Sequence, residues 1–147
     1  KHGTYYIPTI SAGMFVAEKA KQKGYYPRII VPKALEIGPR LLNTFTTAYK
    51  FGIKIAFGTD SGVSYHGDNA KEFFYMVRGG MTEMEAIRSA TVIASEMLGI
   101  NDKLGSIESG KLADIIAVKG NPIKDITFLQ EVVFVMKEGK IYKSNID

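Results

Sequence analysis

Five residues, Ile53-Lys54-Ile55-Ala56-Phe57, constrain the fold more than any other stretch of this chain. They make a compact, β-branched run of the kind that forms a buried strand, and they pass without a spacer into Gly58-Thr59-Asp60-Ser61-Gly62. Ahead of them Leu35, Leu41, Leu42, Phe45 and Ala48 recur at near-helical spacing, which predicts a helix over residues 33–50, and Gly52 stands where a left-handed cap ends one. A helix, a strand, a glycine-rich turn and a further helix make the rhythm of an α/β protein. That order sets Asp60 just beyond a strand's carboxyl end.

The same grammar extends outward. Tyr5-Tyr6-Ile7-Pro8-Thr9-Ile10 is aromatic and β-branched and reads as a short buried strand closed by a proline that cannot donate to a ladder. Residues 11–32 carry helix formers near Glu18 and Lys19 but meet Gly24 and Pro27, so one short helix and a loop are expected. Residues 69–78 read as helix and stop at Gly79-Gly80. Thr82 and Glu85 then have the spacing of a capping box, and one helix is expected from there to about Leu98, with Ala86, Ile87, Ala90, Val92, Ile93 and Met97 on a broad apolar face. Beyond Asn101 come short extended pieces at 114–118, 131–137 and 140–143, parted by Gly110, Gly120-Asn121-Pro122 and Glu138-Gly139; the last two read as a hairpin. A boundary near Asn101 therefore divides residues 1–100 from an all-β tail, residues 101–147.

Bulk properties narrow the functions. A length of 147 residues suits one core but falls short of the roughly 250 of a (β/α)8 barrel. Hydrophobic residues at 46% and charged ones at 23% exclude a disordered or fibrous chain. The net charge of +4 is scattered, densest over residues 19–33, without the basic stripe and interleaved aromatics of a nucleic-acid surface. No cysteine is present, so a metal here must take oxygen and imidazole ligands. No apolar run approaches the roughly 18 residues of a membrane span and the start lacks a signal-peptide pattern, which points to the cytoplasm. The chain begins at Lys1 without an initiator Met, as a trimmed product does.

At strand ends of α/β folds the loops vary while the sheet fixes their roots, so catalytic groups collect there. Asp60 has that position, with glycines on either side and Thr59 and Ser61 able to orient a carboxylate by hydrogen bonds. A strand-end Asp near Gly is equally an ordinary turn residue or cap. A phosphoacceptor role fits poorly, because magnesium sites recruit more than one carboxylate and no others cluster nearby.

Five segments in order resemble the amidohydrolase superfamily: Gly58-Thr59-Asp60-Ser61-Gly62; His66-Gly67; Gly80-Met81-Thr82-Glu83-Met84-Glu85-Ala86-Ile87; Thr91 with Ala94; and the run from Gly105 through Glu108, Gly110, Lys111 and Leu112 to Asp114. The chain looks most similar to the branch containing imidazolonepropionase and Xaa-Pro dipeptidases. That resemblance implies the C-terminal part of a (β/α)8 TIM barrel, with residues 5–9 as strand seven and 53–57 as strand eight, followed by strands of a small β-sandwich. It implies a hydrolase that cleaves a C–N bond of a peptide-like or cyclic amide substrate. Asp60 is then a ligand of a divalent metal, zinc first among candidates, and the acceptor of the proton of metal-bound water. Such families take their other ligands from a His-x-His, a carboxylated lysine or glutamate, and two further histidines. Only His2 and His66 occur here, so the chain is expected to be inactive alone.

The loop after strand eight faces the substrate in such barrels, making Tyr65 and His66 candidate substrate contacts; His66 serves equally well as a loop anchor. His2, on the far side of its strand, reads as structural or exposed, and Lys111 and Asp114 as stabilising residues of the tail. A partial barrel leaves a strand edge unpaired, so self-association or pairing with an absent N-terminal part is expected. The competing reading is a non-catalytic α/β binding or folding module derived from such a hydrolase.

Overall fold

The computed structural model describes residues 3–145. His2 lies outside them. Five helices, α1 (Ile10–Ala20), α2 (Val31–Lys50), α3 (Lys71–Arg78), α4 (Glu83–Ala90) and α5 (Val92–Leu98), precede a three-stranded sheet of β1 (Ile115–Val118), β2 (Val132–Lys137) and β3 (Lys140–Ser144).

The two expected strands of the first half are present only as a contact. Tyr6 and Ile55 form an isolated parallel bridge, with Tyr6 N–H donating to the Lys54 carbonyl at 2.8 Å and Ala56 N–H to the Tyr6 carbonyl at 3.0 Å. A lone pair of parallel segments has no flanking strand to extend its ladder, and that keeps the pairing to one bridge. The direction and adjacency match the reading of residues 5–9 and 53–57 as parallel neighbours.

Helix α1 covers the start of the region expected as one helix and a loop, and α2 begins two residues earlier than its periodicity predicted, with Pro32 in its first turn, where a missing N–H costs nothing. Gly13 and Gly38 lie where α1 crosses α2; a Cβ on Gly13 would strike the Leu41 side chain and one on Gly38 would crowd Met14. Packed under these helices is the core of Ile10, Phe45, Ile55, Met76, Met81 and Ala86, bordered by Tyr6, Leu42, Phe57 and Phe73.

The helix expected from Thr82 to Leu98 is two. Its start is as read: Thr82 Oγ1 accepts from Glu85 N–H, and the Glu85 carboxylate accepts from Thr82 N–H at 2.9 Å. It breaks at Thr91, whose φ and ψ of −121° and −92° are not helical. Two local bonds compete with the helical ladder at that point, Ser89 Oγ donating to the Ala86 carbonyl and Thr91 Oγ1 to that of Ile87. The Ser89 carbonyl also accepts from Phe57 N–H at 3.0 Å, which ties α4 to the extended segment.

In the tail, β1 pairs with β2 and β2 with β3, all antiparallel, with bulges at Ala117/Val118 and Val135/Met136. Glu138 and Gly139, at φ of 50° and 78°, make the tight hairpin expected of them. Asp114 Oδ1 accepts from Glu138 N–H at 2.7 Å and Lys111 Nζ donates to Ser106 Oγ at 2.6 Å, so both side chains steady turns of the tail.

Candidate active site

Both extended segments end in strained turns on the same side of the bridge. Thr9 (φ 46°) and Asp60 (φ 50°) are left-handed non-glycine residues, a conformation that aspartate tolerates and a β-branched threonine rarely adopts. The two turns nearly touch. A Cβ on Gly58 would collide with Ile7 and would stand 4.0 Å from Thr9 Cγ2, so glycine is required where the segments approach.

Asp60 is exposed at the head of a loop, residues 60–67, that returns to the short 3-10 helix Asp68–Ala70 and then to α3. Asn69 on that short helix donates from Nδ2 to Thr59 Oγ1 at 3.3 Å, and its Oδ1 accepts from Gly67 N–H at 3.3 Å, fastening both ends of the loop. Ser61 Oγ is buried without a hydrogen-bond partner.

The same loop carries the other two candidate residues. Tyr65 packs on α1, edge-on to Phe15 with ring centroids 5.4 Å apart, and the Lys19 ammonium lies 5.3 to 5.5 Å from the rings of Phe15, Tyr25 and Tyr65. His66 is exposed next to it. A cavity of about 120 Å³ between α1, the loop and α3 is lined by Ser11, Phe15, Glu18, Ser64, Asp68 and Lys71, among others, and not by Asp60.

One charged group in this region escaped the sequence. Glu72, fully buried at the start of α3, accepts from Ile10 N–H at 2.9 Å (Oε1) and from Ser11 N–H at 2.6 Å (Oε2). It caps α1 across 62 residues, a service no local side chain performs, since Thr9 makes no capping bond. Ser11 Oγ sits beside the same carboxylate without completing a hydrogen bond. Burial pushes the Glu72 carboxyl above its ordinary range, while the Ser11 and Ile10 bonds pull it back. Burial, and secondarily the Glu72 charge, raise Tyr6. The signal available in the sequence was a glutamate four residues before Met76, on the buried face of its helix.

Among the described residues no three His, Cys, Asp or Glu side chains converge. A catalytic zinc needs about three protein ligands, so the metal expected from the sequence does not fit this chain taken alone. No helix among the described residues is long and apolar enough to cross a membrane.

Known proteins share this sequence and fold over most of the chain. The model of the amidohydrolase family matches residues 1–142. A crystal structure of a Xaa-Pro dipeptidase with bound methionine is similar at a TM-score of 0.92 and 60% identity over 97% of this chain. A prolidase complexed with N-methylphosphonate-L-proline is similar at 0.83 and 27% identity over 98% of this chain and 36% of its own. The ochratoxinase of Aspergillus niger is 41% identical over 107 residues, 69% of this chain. The chain spans 35% of the length of the dipeptidase and 22% of that of the ochratoxinase.

Proposed function

The chain belongs to the amidohydrolase family, and from that membership we propose that it is the carboxy-terminal portion of a metal-dependent hydrolase that cleaves a C–N bond of a dipeptide-like or cyclic amide substrate. Residues 1–100 supply strands seven and eight of the parent's barrel and their helices; residues 101–147 supply strands of its small β-sandwich. The single observation that carries the reading is Asp60, exposed in a left-handed turn at the carboxyl end of a segment paired in parallel with its predecessor, where the side chains of α/β folds that do chemistry collect.

In the parent, Asp60 would hold a divalent metal, zinc for preference, through one carboxylate oxygen, together with ligands this chain does not supply. Such a metal, when bound, makes water available as a nucleophile at neutral pH. The other carboxylate oxygen of Asp60 would serve as the proton acceptor at the site. His66 and Tyr65, both exposed on the same loop, are the candidates for contact with the substrate, Tyr65 with its ring packed on Phe15. A dipeptide is the favoured substrate, since a relative 60% identical over 97% of this chain is a Xaa-Pro dipeptidase. The competing non-catalytic module has no counterpart in those relatives.

Asp60→Asn in the full-length parent, assayed on Xaa-Pro dipeptides, is expected to lower kcat by at least about a thousandfold while leaving the circular dichroism and melting temperature unchanged. Near-normal kcat in that variant removes Asp60 from the mechanism.

A further inference from the structure

The two turns that end the parallel segments are fixed from a single place, the junction of the 3-10 helix Asp68–Ala70 with α3. Asn69 bonds Thr59, the residue before Asp60, and Glu72 holds Ile10 and Ser11, the residues after Thr9. Thr9 and Gly58 meet between them. Thr9 gains nothing locally from its left-handed backbone, having no capping bond of its own. Left-handed strain in a β-branched residue persists only where its surroundings impose it. Here the imposing group is a carboxylate with no exposed surface and both oxygens engaged.

We propose that Glu72 and Asn69 are positioning residues for Asp60: together they lock the Thr9 turn against Gly58 and so set the height and direction of the Asp60 carboxylate. Neither residue touches the substrate. Their effect passes through Thr9, Gly58 and Thr59, and the role rests on the reading of Asp60 given above.

The physical reason for a buried carboxylate rather than a hydroxyl cap is reach. A serine or threonine cap is local, whereas a glutamate from α3 draws the first turn of α1 toward the helix that follows the Asp60 loop. A glutamine at the same place keeps one acceptor and turns an amide N–H toward a backbone N–H, so it holds one of the two bonds and repels the other. Displacement of a reacting group by about 1 Å costs on the order of a hundredfold in rate, which sets the scale of the expected effect.

The test is made in the full-length parent with a Xaa-Pro dipeptide. Glu72→Gln is expected to lower kcat by about ten- to a hundredfold with KM changed by less than about threefold, and to speed hydrogen exchange at Ile10 and Ser11. Thr9→Asn, which adopts the left-handed turn more readily than threonine and keeps a side chain against Gly58, is expected to restore much of the lost kcat when added to Glu72→Gln. A merely structural Glu72 would lower the melting temperature of the protein without that rescue. Asn69→Ala, at an exposed position, carries the test if Glu72→Gln does not fold, and is expected to lower kcat several-fold at an unchanged melting temperature. Wild-type kcat in the folded Glu72→Gln variant, or in Asn69→Ala where Glu72→Gln does not fold, overturns the positioning role while Asp60→Asn remains inactive. Turnover by Asp60→Asn overturns both the role and the reading beneath it.

Discussion

The helical part and the β tail of this chain bury their apolar residues to different degrees. Around Phe45 the helices close a core in which Ile10, Phe45, Met76 and Ala86 are fully buried. In the tail no strand residue is buried: β1 and β2 are half-covered, and every residue of β3 is exposed, Ile141 at 54% and Tyr142 at 63%. Between the two parts runs an apolar groove of about 570 Å³, walled on one side by Ile87, Ala90 and Ala94 and on the other by Leu112 and Ile116. The difference teaches which half closes a core of its own. The helices bury a centre inside the chain while leaving Ile29, Phe51 and Leu98 exposed at their margins, whereas the sheet buries none of its strand residues and presents surface suited to a second layer, the arrangement a sandwich needs.

The largest expected effect tests that contrast directly. Phe45→Ala removes a ring at the centre of the helical core, also packed against Gly79, and is expected to cost about 3–5 kcal/mol, enough to unfold a chain of marginal stability. Phe134→Ala, in the half-covered β2, is expected to cost much less by the same urea titration. Equal losses would break the contrast.

Acid–base behaviour separates the halves more gently. Glu72, buried among the helices, has its carboxyl raised by burial, so the folded state holds its proton more tightly than the unfolded chain. Its contribution to stability is complete below the ordinary value of 4.5 and is lost as pH climbs through the raised folded value. Asp125 in the tail is lowered by bonds from the Thr127 hydroxyl and backbone N–H. Its contribution is present above the ordinary 3.8 and lost as pH falls through the lowered folded value. Melting curves against pH should therefore lose their decline above 4.5 in Glu72→Gln and keep it in Asp125→Asn. Being fully exposed, Asp125 gives the smaller change.

What the sequence made legible follows the range of the interaction concerned. The capping box of Thr82 with Glu85, the Glu138-Gly139 hairpin and the turn at Asp60 are each written within a few residues, and each is where the spacing put it. The break at Thr91 was not legible, because part of its cause is a Ser89 carbonyl engaged by Phe57, 32 residues away in the chain. Nor was the cap on α1, whose donor and acceptor are 62 residues apart. Tyr65 was placed on the correct loop, but its ring direction is set by Phe15 and Lys19, which no local pattern connects to it. The Tyr6 bridge is intermediate: the strand character was readable, its shortness a consequence of absent neighbours.

The smallest effect sharpens the comparison most. Ile141 on β3 pairs with Met136 on β2 and is more than half exposed, so Ile141→Lys leaves its charge in water and is expected to change the stability of this chain by less than about 0.5 kcal/mol. In the full-length parent the same lysine would lie beneath a second sheet layer, unpaired, and burying an unpaired charge is expected to cost several kcal/mol. The two urea midpoints, measured side by side, thus report whether β3 is covered. If the substitution is equally mild in both, the exposed sheet is the tail's finished surface, and its proposed place in a sandwich is wrong. If it is severe only in the parent, the apolar face of β3 is the half of an interface that this chain carries.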